Sequence, residues 1–421
     1  MARASRTPPA APTVVRPRPR RHLGLVPPPL PRRTLIVSSF VLPHSGVMEQ
    51  FVDAASTLLT ERGWDVRVVA CRPDLGPAAA DITLPTLYLP PGSWPLPVGG
   101  WRALWREIGR ADVVLANGAH NLLPILATLV AHVRRRKVIF VLHGSGAPLT
   151  TRSLRYHRVL RAVFDRLIVR RTLRRSHPIS LSQAGIPGAR KRYGVEAAHF
   201  SYPLRDLPPA TPRTLDPDEP LSIVWAGRLD RENNPLHAVE VVERLRRHRD
   251  ATLHVYGTGG LDDRLAELAA DRPWLQLGGQ LTWSEVQDAQ DASHLSLSTS
   301  LGDATEIAIL EPLARGIPVV STQVGDALLH YTDTALHLFC VAPAEAQAAA
   351  FAILRLVTSY SRYRDLFAEN AQVLRNRHRG GAQRLSMLLE TAAFGEPAER
   401  VAAGTRPRAS RSPAIAEELS T

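Results

Sequence analysis

The sequence has few of the residues that build disulfide frameworks, metal sites or membrane spans. Its 421 residues include two cysteines, Cys71 and Cys340, which are far apart and fit no metal-ligand spacing. We interpret both as reduced core residues. No apolar run reaches the length of a transmembrane helix, and no cluster of acids or histidines suggests a metal ligand set. We therefore expect a cytoplasmic protein without a metal centre.

Lysine is equally scarce, because Lys137 and Lys191 are the only two and arginine supplies most of the formal charge of +13. Residues 1–33 hold eight arginines, nine prolines and no acid, and so account for +8. No basic motif interleaved with aromatic residues accompanies this charge, which argues against nucleic-acid binding. Residues 1–33 and 395–421 lack a periodic apolar face and are predicted to be disordered tails.

Between the tails, short buried strands alternate with helical segments, a pattern that predicts α/β domains with parallel sheets. In the first half, strands are predicted at 34–40, 65–71, 112–118, 137–144 and 177–185, with helices at 47–63 and 122–133. The proline-rich stretch 206–217 predicts a linker. The alternation then restarts, with strands at 221–227, 252–257, 294–300 and 318–322 and helices at 234–248 and 261–270. Two doubly wound domains, 34–205 and 218–380, are therefore predicted, with a ligand site in the cleft between them.

Polar clusters follow four of the predicted strands: "PHSG" at 43–46, "HGSG" at 143–146, "GRLDRENN" at 227–234 and "SLGDATE" at 300–306. Gly46 precedes a helix, whose first N–H groups suit a phosphate. Arg228 can pair with phosphate oxygens, and Glu311 can accept from two vicinal hydroxyls. The inferred ligand is a diphosphate flanked by polyols. Taken singly, Arg228 as an exposed helix-entry residue and Glu311 as a capping carboxylate are equally open.

The sequence also contains partial motifs of three other kinds of site, and none of them fits the pattern that its chemistry needs. The segments "GSGAPL" (144–149) and "GTGGLD" (257–262) lack the third glycine of a dinucleotide fingerprint. The serine in "HGSGA" does not form a nucleophile elbow. The acid pair in "DPD", 216–218, lies in the linker and is better explained as a solvated turn.

The segment from Ser300 to Val320 carries the strongest resemblance to a known family, the family-4 retaining glycosyltransferases of the GT-B fold. That family usually carries Ser-x-x-Glu-Gly-Phe-Gly-Leu followed by Leu-Glu-Ala-Met-Ala-x-Gly-x-Pro-Val-Val. Seven residues separate its two acids, and Asp303 and Glu311 keep this spacing. "GRLDRENNP" is similar to the family's diphosphate clamp, "LHG" at 142–144 to its His-Gly turn, and "PHSGVMEQFV" to its first Gly-rich turn. The resemblance extends over about residues 34–393.

The resemblance implies a nucleotide-sugar-dependent hexosyltransferase that retains the anomeric configuration and needs no metal or other cofactor. It implies that Asp303 faces the donor sugar, Glu311 holds the ribose, and Arg228 and Gly46 stabilise the departing phosphate. His143 would hold the sugar's 6-hydroxyl or support the oxocarbenium-like centre. The donor set further includes Asn233, the backbone at Ile307, and Glu306, which stands where the family has glycine. A return helix is expected at 381–394.

The acceptor is expected on the first domain, near Glu49, Asn117 and His120. The resemblance leans towards enzymes that transfer N-acetylglucosamine from UDP to a small polar aminocyclitol, such as 2-deoxystreptamine in antibiotic biosynthesis. The partners are then a nucleotide sugar and a small polar acceptor, with no nucleic acid. The oligomeric state is not predicted.

Three alternatives stay open. Residues 152–175 carry nine arginines interleaved with apolar residues, so the enzyme could act on a lipid or polysaccharide at a membrane surface, although a solvated basic face is favoured. Asp303 replaces glutamate, and Asn233 stands where the family's clamp has lysine, which keeps a catalytically degenerate partner protein in view. The third alternative is a GT-B enzyme that forms sugar phosphates or epimerises sugars.

Overall fold

The computed structural model describes residues 32–42, 46–73, 78–89, 94–119, 121–143, 162–204, 208–210, 213–216, 218–302 and 306–394. The segments 1–31 and 395–421, which make up nearly all of the predicted tails, lie outside these ranges. No helix within them is long and apolar enough to cross a membrane.

The first half of the chain forms a parallel sheet of seven strands in the order β3-β2-β1-β6-β7-β8-β9. Its strands are β1 (Arg33–Ser38), β2 (Asp65–Cys71), β3 (Ile82–Leu84), β6 (Val113–Asn117), β7 (Lys137–Leu142), β8 (His177–Ser180) and β9 (Ala198–His199). A separate antiparallel hairpin consists of β4 (Thr86–Leu89) and β5 (Trp94–Pro97).

The second half forms a parallel sheet of six strands in the order β12-β11-β10-β13-β14-β15. Its strands are β10 (Leu221–Ala226), β11 (Ala251–Tyr256), β12 (Leu275–Gly279), β13 (Leu295–Ser298), β14 (Val319–Thr322) and β15 (Cys340–Val341).

Helices connect the strands and cover the sheets. In the first half they are α1 (Val47–Glu61), α2 (Trp101–Arg110), α3 (Leu122–Val133), a π-helical turn (Asp165–Val169) that continues into α4 (Arg170–Arg174), and α5 (Gly185–Tyr193). In the second half they are α6 (Pro235–Leu245), α7 (Asp262–Ala270), α8 (Trp283–Asp291), α9 (Glu306–Arg315), α10 (Ala327–His330), a 3₁₀ helix (Thr334–Phe339), α11 (Ala346–Thr358), α12 (Tyr360–His378) and α13 (Gly381–Phe394).

Both sheets have the strand order of a doubly wound fold, and the predicted α/β class with two Rossmann-like domains is confirmed. In each sheet the order reverses beside the first strand, so a crevice opens between the loops that follow two neighbouring strands. In the first sheet these are β1 and β6, and in the second they are β10 and β13. The fold therefore places its two crevices where the polar clusters occur in the sequence.

Side chains of the central strands alternate between two cores, because successive residues of a strand point to opposite faces. Ile36 packs with α1 and α13, whereas its neighbours Leu35 and Val37 pack with α2, α3 and α4. The first sheet is thus buried on both faces, which explains its continuous apolar strands.

Helix α13 follows the second domain in sequence but packs on the first domain, against α1, β6 and β7. Trp64 donates its indole N–H to Ser386 Oγ at 2.9 Å, and Leu385 and Leu389 are completely buried. This helix occupies the position expected for the family's return helix, and it ties the two halves of the chain together.

Some boundaries differ from the sequence prediction. Strand β1 begins at Arg33, inside the predicted arm, because the Arg33 side chain pairs with Asp65 at 2.9 Å and its backbone N–H donates to Asp112 at 2.9 Å. The strand predicted over 177–185 ends at Ser180, whose hydroxyl donates to Ser182 O and turns the chain towards α5. Helices α2, α5, α8, α10, α11 and α12 were not predicted.

We expect the return helix to support the first domain. Leu389→Ala removes a side chain that is completely buried and should lower the free energy of unfolding by about 2–5 kcal/mol. Met387→Ala is the matched control, since Met387 lies on the same helix with 40% of its surface exposed. Chemical denaturation followed by circular dichroism measures both. Equal effects of the two substitutions would contradict this packing.

Candidate active site

The residues singled out from the sequence lie at the carboxyl ends of the strands, on the edges where doubly wound sheets bind ligands. In the first domain, Gly46 and Glu49 follow β1, Asn117 ends β6 and His143 follows β7. In the second domain, Arg228 follows β10 and Glu311 lies in α9, which follows β13. The structure thus brings one group from each domain to the junction.

Gly46 and Glu49 form a compact turn at the start of α1. Gly46 is extended, with φ of −178°, and its carbonyl accepts from the Gln50 N–H at 3.1 Å. A Cβ at position 46 would lie 2.6 Å from Glu49 Oε2, so any larger residue would displace this carboxyl group. Glu49 also accepts from its own backbone N–H. The first turn of α1, predicted to hold a phosphate, therefore already carries an acidic group.

The Glu49 carboxyl is 8% exposed, and burial raises its pKa from 4.5 to about 6. Its own backbone N–H and the positive charge of Arg228 oppose this shift. Arg228 belongs to the second domain, so its guanidinium lies within electrostatic range of Glu49 at the start of α1 in the first domain. Glu49 was predicted to bind the acceptor; the structure places it beside the predicted phosphate site.

Arg228 leads a tight loop that leaves its side chain 51% exposed. Its guanidinium lies 3.4 Å from Asp230, and its backbone carbonyl accepts from Asn233 Nδ2 at 3.1 Å. Asn233 also donates its backbone N–H to Asp230 Oδ1 at 2.8 Å and is 7% exposed. The Asn233 side chain thus bonds to the inside of the loop, at the position where the family's clamp has lysine.

The loops after β10 and β13 are hydrogen-bonded to each other. Leu301 N–H donates to Glu232 O at 2.8 Å, and Thr299 Oγ1 donates to Asn234 O at 2.8 Å. Asn234 has a left-handed backbone, with φ of 52°, and Pro235 begins α6 directly after it. These bonds hold the later part of the loop, and the Leu229 N–H donates to Thr258 O at 3.0 Å near its start, so Arg228 projects from a supported loop.

His143 is half-buried and is oriented by Asn117. Its Nε2 lies 2.5 Å from Asn117 Oδ1, while Asn117 Nδ2 donates to Met48 O at 3.1 Å and to Ser38 Oγ at 3.2 Å. Since the amide nitrogen is the donor in both bonds, Oδ1 accepts, and the Nε2–H tautomer of His143 is favoured. Asn117 is completely buried. Its side chain holds His143 and does not reach the surface where an acceptor would bind.

Glu311 is held by a tryptophan that the sequence analysis missed. Trp283 Nε1 donates to both carboxylate oxygens, at 3.2 Å and 3.3 Å. Trp283 is the first residue of α8, which begins with a capping box formed by Thr282 and Glu285. The motif Thr-x-x-Glu is visible in the sequence and predicts a helix start there, but it does not reveal the contact with Glu311.

One further hydrogen-bonded contact and one electrostatic effect link the domains. Asp326, before α10, accepts the backbone N–H groups of Gln183 at 2.5 Å and Ala184 at 2.8 Å, at the start of α5. Burial raises the pKa of Tyr202 well above 10, and the negative charge of Glu311 adds to the shift. Tyr202, in the chain between the domains, therefore stays neutral close to the Glu311 carboxylate.

Several predicted residues lie outside the part of the chain that the structure describes. These are Asp303 and His120, and the side chain of Glu306, which is the first residue of α9. Ile307, on the same helix, is buried at 4% exposure. The described residues contain no group of three or more His, Cys, Asp or Glu that could hold a metal ion; the metal-independent reaction stays a prediction.

Both halves of the chain match family models. Residues 48–202 match the model of glycosyltransferase family 4, and residues 220–359 match that of the glycosyl transferases group 1. Together the two matches cover most of both domains and include Glu49, Asn117 and His143 in one, and Arg228 and Glu311 in the other. A comparison with curated protein sequences found no match.

Solved structures with the same fold share little sequence with this chain. Anabaena Alr3699/HepE, in complex with UDP and glucose, has a TM-score of 0.61 at 15% identity, covering 86% of this chain and 100% of that one. Sucrose-phosphate synthase from Thermosynechococcus elongatus has a TM-score of 0.62 at 15% identity, covering 86% and 98%. The pneumococcal O-GlcNAc transferase GtfA, in complex with UDP and GlcNAc, has a TM-score of 0.61 at 10% identity, covering 87% and 100%.

The pKa of Glu49 predicts a pH-dependent stability. Because the folded-state value of about 6 lies above the ordinary 4.5, the folded protein binds this proton more tightly than the unfolded chain does. The stabilisation is complete below pH 4.5 and is lost as the pH rises through 6. Glu49→Gln should therefore become more stable than the wild type above pH 6, by up to about 2 kcal/mol.

Urea unfolding between pH 4.5 and 8 measures this difference. Glu61→Gln is the control, since Glu61 is exposed at the other end of α1. A constant difference between Glu49→Gln and the wild type across this range would contradict the burial of an ionisable carboxyl at the start of α1.

Proposed function

Because the chain is a glycosyltransferase of the GT-B type, we propose that it transfers a sugar from UDP to a hydroxyl of a small polar acceptor, with retention at the anomeric carbon. The observation that carries the proposal is the placement of Arg228 and Glu311. Both follow strands that flank the crevice of the second sheet, and Arg228 lies within electrostatic range of Glu49 in the first domain. A cation and a carboxylate in this arrangement suit a diphosphate and the ribose next to it.

The donor lies chiefly on the second domain in this proposal. Glu311, held by the indole N–H of Trp283, accepts hydrogen bonds from the ribose hydroxyls. Arg228 binds the diphosphate oxygens, and Arg231 and the first turn of α1 assist. Asp303 and the backbone at Ile307 face the sugar and phosphates, as the family resemblance implies. Glu306 stands where the family has glycine, and in this proposal its side chain touches the sugar or the acceptor. The UDP bound in HepE and in GtfA supports UDP as the nucleotide.

The reaction proceeds on one face of the sugar. The bond between the anomeric carbon and the donor phosphate breaks, and the acceptor oxygen forms its new bond on the same side. The departing phosphate takes the proton of the acceptor hydroxyl, so no separate protein base is required. Arg228 stabilises the negative charge that develops on that phosphate, an electrostatic contribution that often dominates such reactions. His143, positioned by Asn117, supports the sugar.

Glu49 restricts how the phosphate can approach. Its carboxyl group lies beside Gly46, where a phosphate would meet the N–H groups of α1. Two negative groups repel at this distance, so the diphosphate favours a protonated Glu49. With a pKa of about 6, this protonation occurs at small cost near neutral pH. We therefore assign Glu49 to the phosphate side of the site, and the acceptor to the surface around His143 and His120.

The identity of the sugar and the acceptor rests on the resemblance alone. We propose N-acetylglucosamine as the sugar and an aminocyclitol such as 2-deoxystreptamine as the acceptor, which would place the enzyme in antibiotic biosynthesis. The test is incubation with UDP- and GDP-sugars and a panel of cyclitols, followed by mass spectrometry of the products. Formation of an N-acetylglucosaminyl cyclitol from UDP is expected. Transfer only to lipid or polysaccharide acceptors would move the assignment to a membrane-surface enzyme.

Asn233 favours one competing function, that of a catalytically degenerate partner protein. A neutral amide stands where the family's clamp has lysine, and it donates to the Arg228 carbonyl, so this position adds no positive charge beside the diphosphate. If no sugar nucleotide is turned over by the wild type, and Asn233→Lys gains no turnover, the partner function replaces the enzymatic one. Turnover by the wild type would exclude it.

Nucleotide binding should separate the roles of Arg228 and Glu311. Arg228→Ala removes a charge-assisted contact to the diphosphate and should weaken both UDP and pyrophosphate by about 10- to 100-fold. Glu311→Gln should weaken UDP by about 10-fold and leave pyrophosphate unchanged, because only UDP carries the ribose. Isothermal titration calorimetry measures all four affinities.

The control for this comparison is Arg264→Ala, which removes an exposed arginine that pairs with Glu267 on the surface of α7. It should bind both ligands as the wild type does. Unchanged UDP affinity in both Arg228→Ala and Glu311→Gln would place the donor elsewhere.

Because Glu49 lies close to the proposed phosphate position, we expect the affinity for UDP to depend on pH. At pH 5, where Glu49 is largely protonated, wild type and Glu49→Gln should bind UDP equally. At pH 8, where the wild-type carboxyl is ionised, Glu49→Gln should bind about 5- to 10-fold more tightly. Comparing the two proteins at each pH cancels the titration of the UDP phosphate itself. A ratio that stays constant from pH 5 to pH 8 would contradict this placement.

A further inference from the structure

The outer face of α2 exposes two tryptophans one helical turn apart. Trp101 and Trp105 are 41% and 43% exposed, and the exposed residues beside them are Arg102 and Arg106. The opposite face of the helix is buried through Leu104 and Ile108. The exposed stripe therefore combines large amphipathic rings with long cationic side chains and takes no part in the sheet's core.

The neighbouring helices on the same face of the first sheet share this composition. Exposed apolar residues also occur on α3 and in the π-helical turn with the residues before it, namely Leu129, Val133, Val163, Leu167 and Ile168. Between them lie exposed arginines, namely Arg135, Arg166, Arg171, Arg174 and Arg175. The only acids in these described helices, Glu107 and Asp165, are buried at 7% and 4% exposure. We call the outer side of α2, α3 and residues 162–175 the basic face.

Contacts between the helices join these residues into one surface. The Arg134 guanidinium, after α3, lies 4.9 Å above the Trp105 ring of α2. Arg136 donates to the carbonyl of Gly109 at the end of α2. The Ser176 Oγ, after α4, lies 3.4 Å from Nε2 of His132 on α3. The basic face is thus continuous from α2 across α3 to residues 162–175, the described part of the stretch 152–175.

We propose that the basic face binds an anionic lipid surface. Tryptophan rings with an apolar body and a polar N–H partition to the boundary between headgroups and acyl chains. Arginine stems lie along apolar surface while their guanidinium groups reach anionic headgroups. A surface without exposed acids meets no repulsion from such a bilayer, and charge complementarity therefore favours it. The scattered aliphatic residues favour a lipid surface over nucleic acid.

Binding by the basic face is separate from the transfer reaction. Helices α2, α3 and α4 each lead into a strand of the first sheet, and the exposed apolar residues of α3, Leu129 and Val133, lie in its second half, away from the loop that follows β6. The binding is therefore measured without a donor.

Sedimentation of the full chain with vesicles tests the proposal. Vesicles of phosphatidylcholine alone are compared with vesicles that contain about one third phosphatidylglycerol, at physiological ionic strength. The wild type should sediment with the anionic vesicles and stay in solution with the neutral ones. Its tryptophan fluorescence should shift to shorter wavelength on binding. Absence of sedimentation with the anionic vesicles would overturn the proposal.

Paired variants locate the surface. Trp101→Ser with Trp105→Ser should weaken vesicle binding at least about 10-fold, since two interfacial rings are lost. Arg102→Gln with Arg106→Gln should weaken it by a similar factor and reduce its salt dependence. The double arginine variant leaves the apolar packing of α2 intact, so it still tests the surface if the double tryptophan variant does not fold. Thermal melts by circular dichroism show whether each variant is folded.

The controls carry matched changes on the second domain. Phe351→Ser removes an apolar side chain that is 56% exposed on α11, and Arg264→Gln with Arg362→Gln removes two exposed arginines. Both should bind vesicles as the wild type does. Equal losses in the controls and in the basic-face variants would overturn the proposal. The proposal would also be overturned if the protein bound a random DNA duplex as tightly as it binds anionic vesicles and if the tryptophan substitutions left that DNA binding unchanged.

Discussion

A buried carboxyl, Glu49, and an exposed guanidinium, Arg228, from opposite domains lie within electrostatic range of each other, and the proposed chemistry depends on that pair. Glu49 lies at the start of α1 in the first domain and is 8% exposed. Burial raises its pKa to about 6. Arg228 is the charge from the second domain that acts on it. A diphosphate entering between them would gain the arginine and meet the carboxyl group. Donor binding and protonation of Glu49 are therefore coupled in this account.

The two sheets bring this pair together because both are doubly wound and present the loops beside their first strand at the same junction. The supporting contacts are hydrogen bonds made by buried or half-buried side chains. Asn233 holds the Arg228 carbonyl, Asn117 holds His143, and Trp283 holds Glu311. Asp326 and the return helix α13 then fix one domain against the other. The site is thus held by side-chain hydrogen bonds within each domain and by contacts between the two domains.

Local sequence pattern predicted the fold well where an element is regular and apolar. Strand β2 and helix α3 have the predicted bounds, because their apolar runs end at charged or glycine-containing turns. Helix α12 was missed because its 19 residues are mostly polar, although its buried positions recur every three to four residues, a spacing that indicates a helix. The candidate site likewise has a part that the sequence predicted and a part that it did not. The placement of Arg228 and Glu311 after strands was readable, whereas the burial of Glu49, the full burial of Asn117 and the contact of Trp283 depend on residues distant in sequence.

The measurement that tests the central claim most directly is the pKa of the Glu49 carboxyl with and without UDP. It can be followed by carbon-13 NMR of protein labelled in its glutamate side chains, with Glu49→Gln assigning the signal. The account predicts a value of about 6 in the free protein and a higher one with UDP bound, because the phosphates add negative charge beside Gly46. A pKa near the ordinary 4.5 that UDP leaves unchanged would contradict the account.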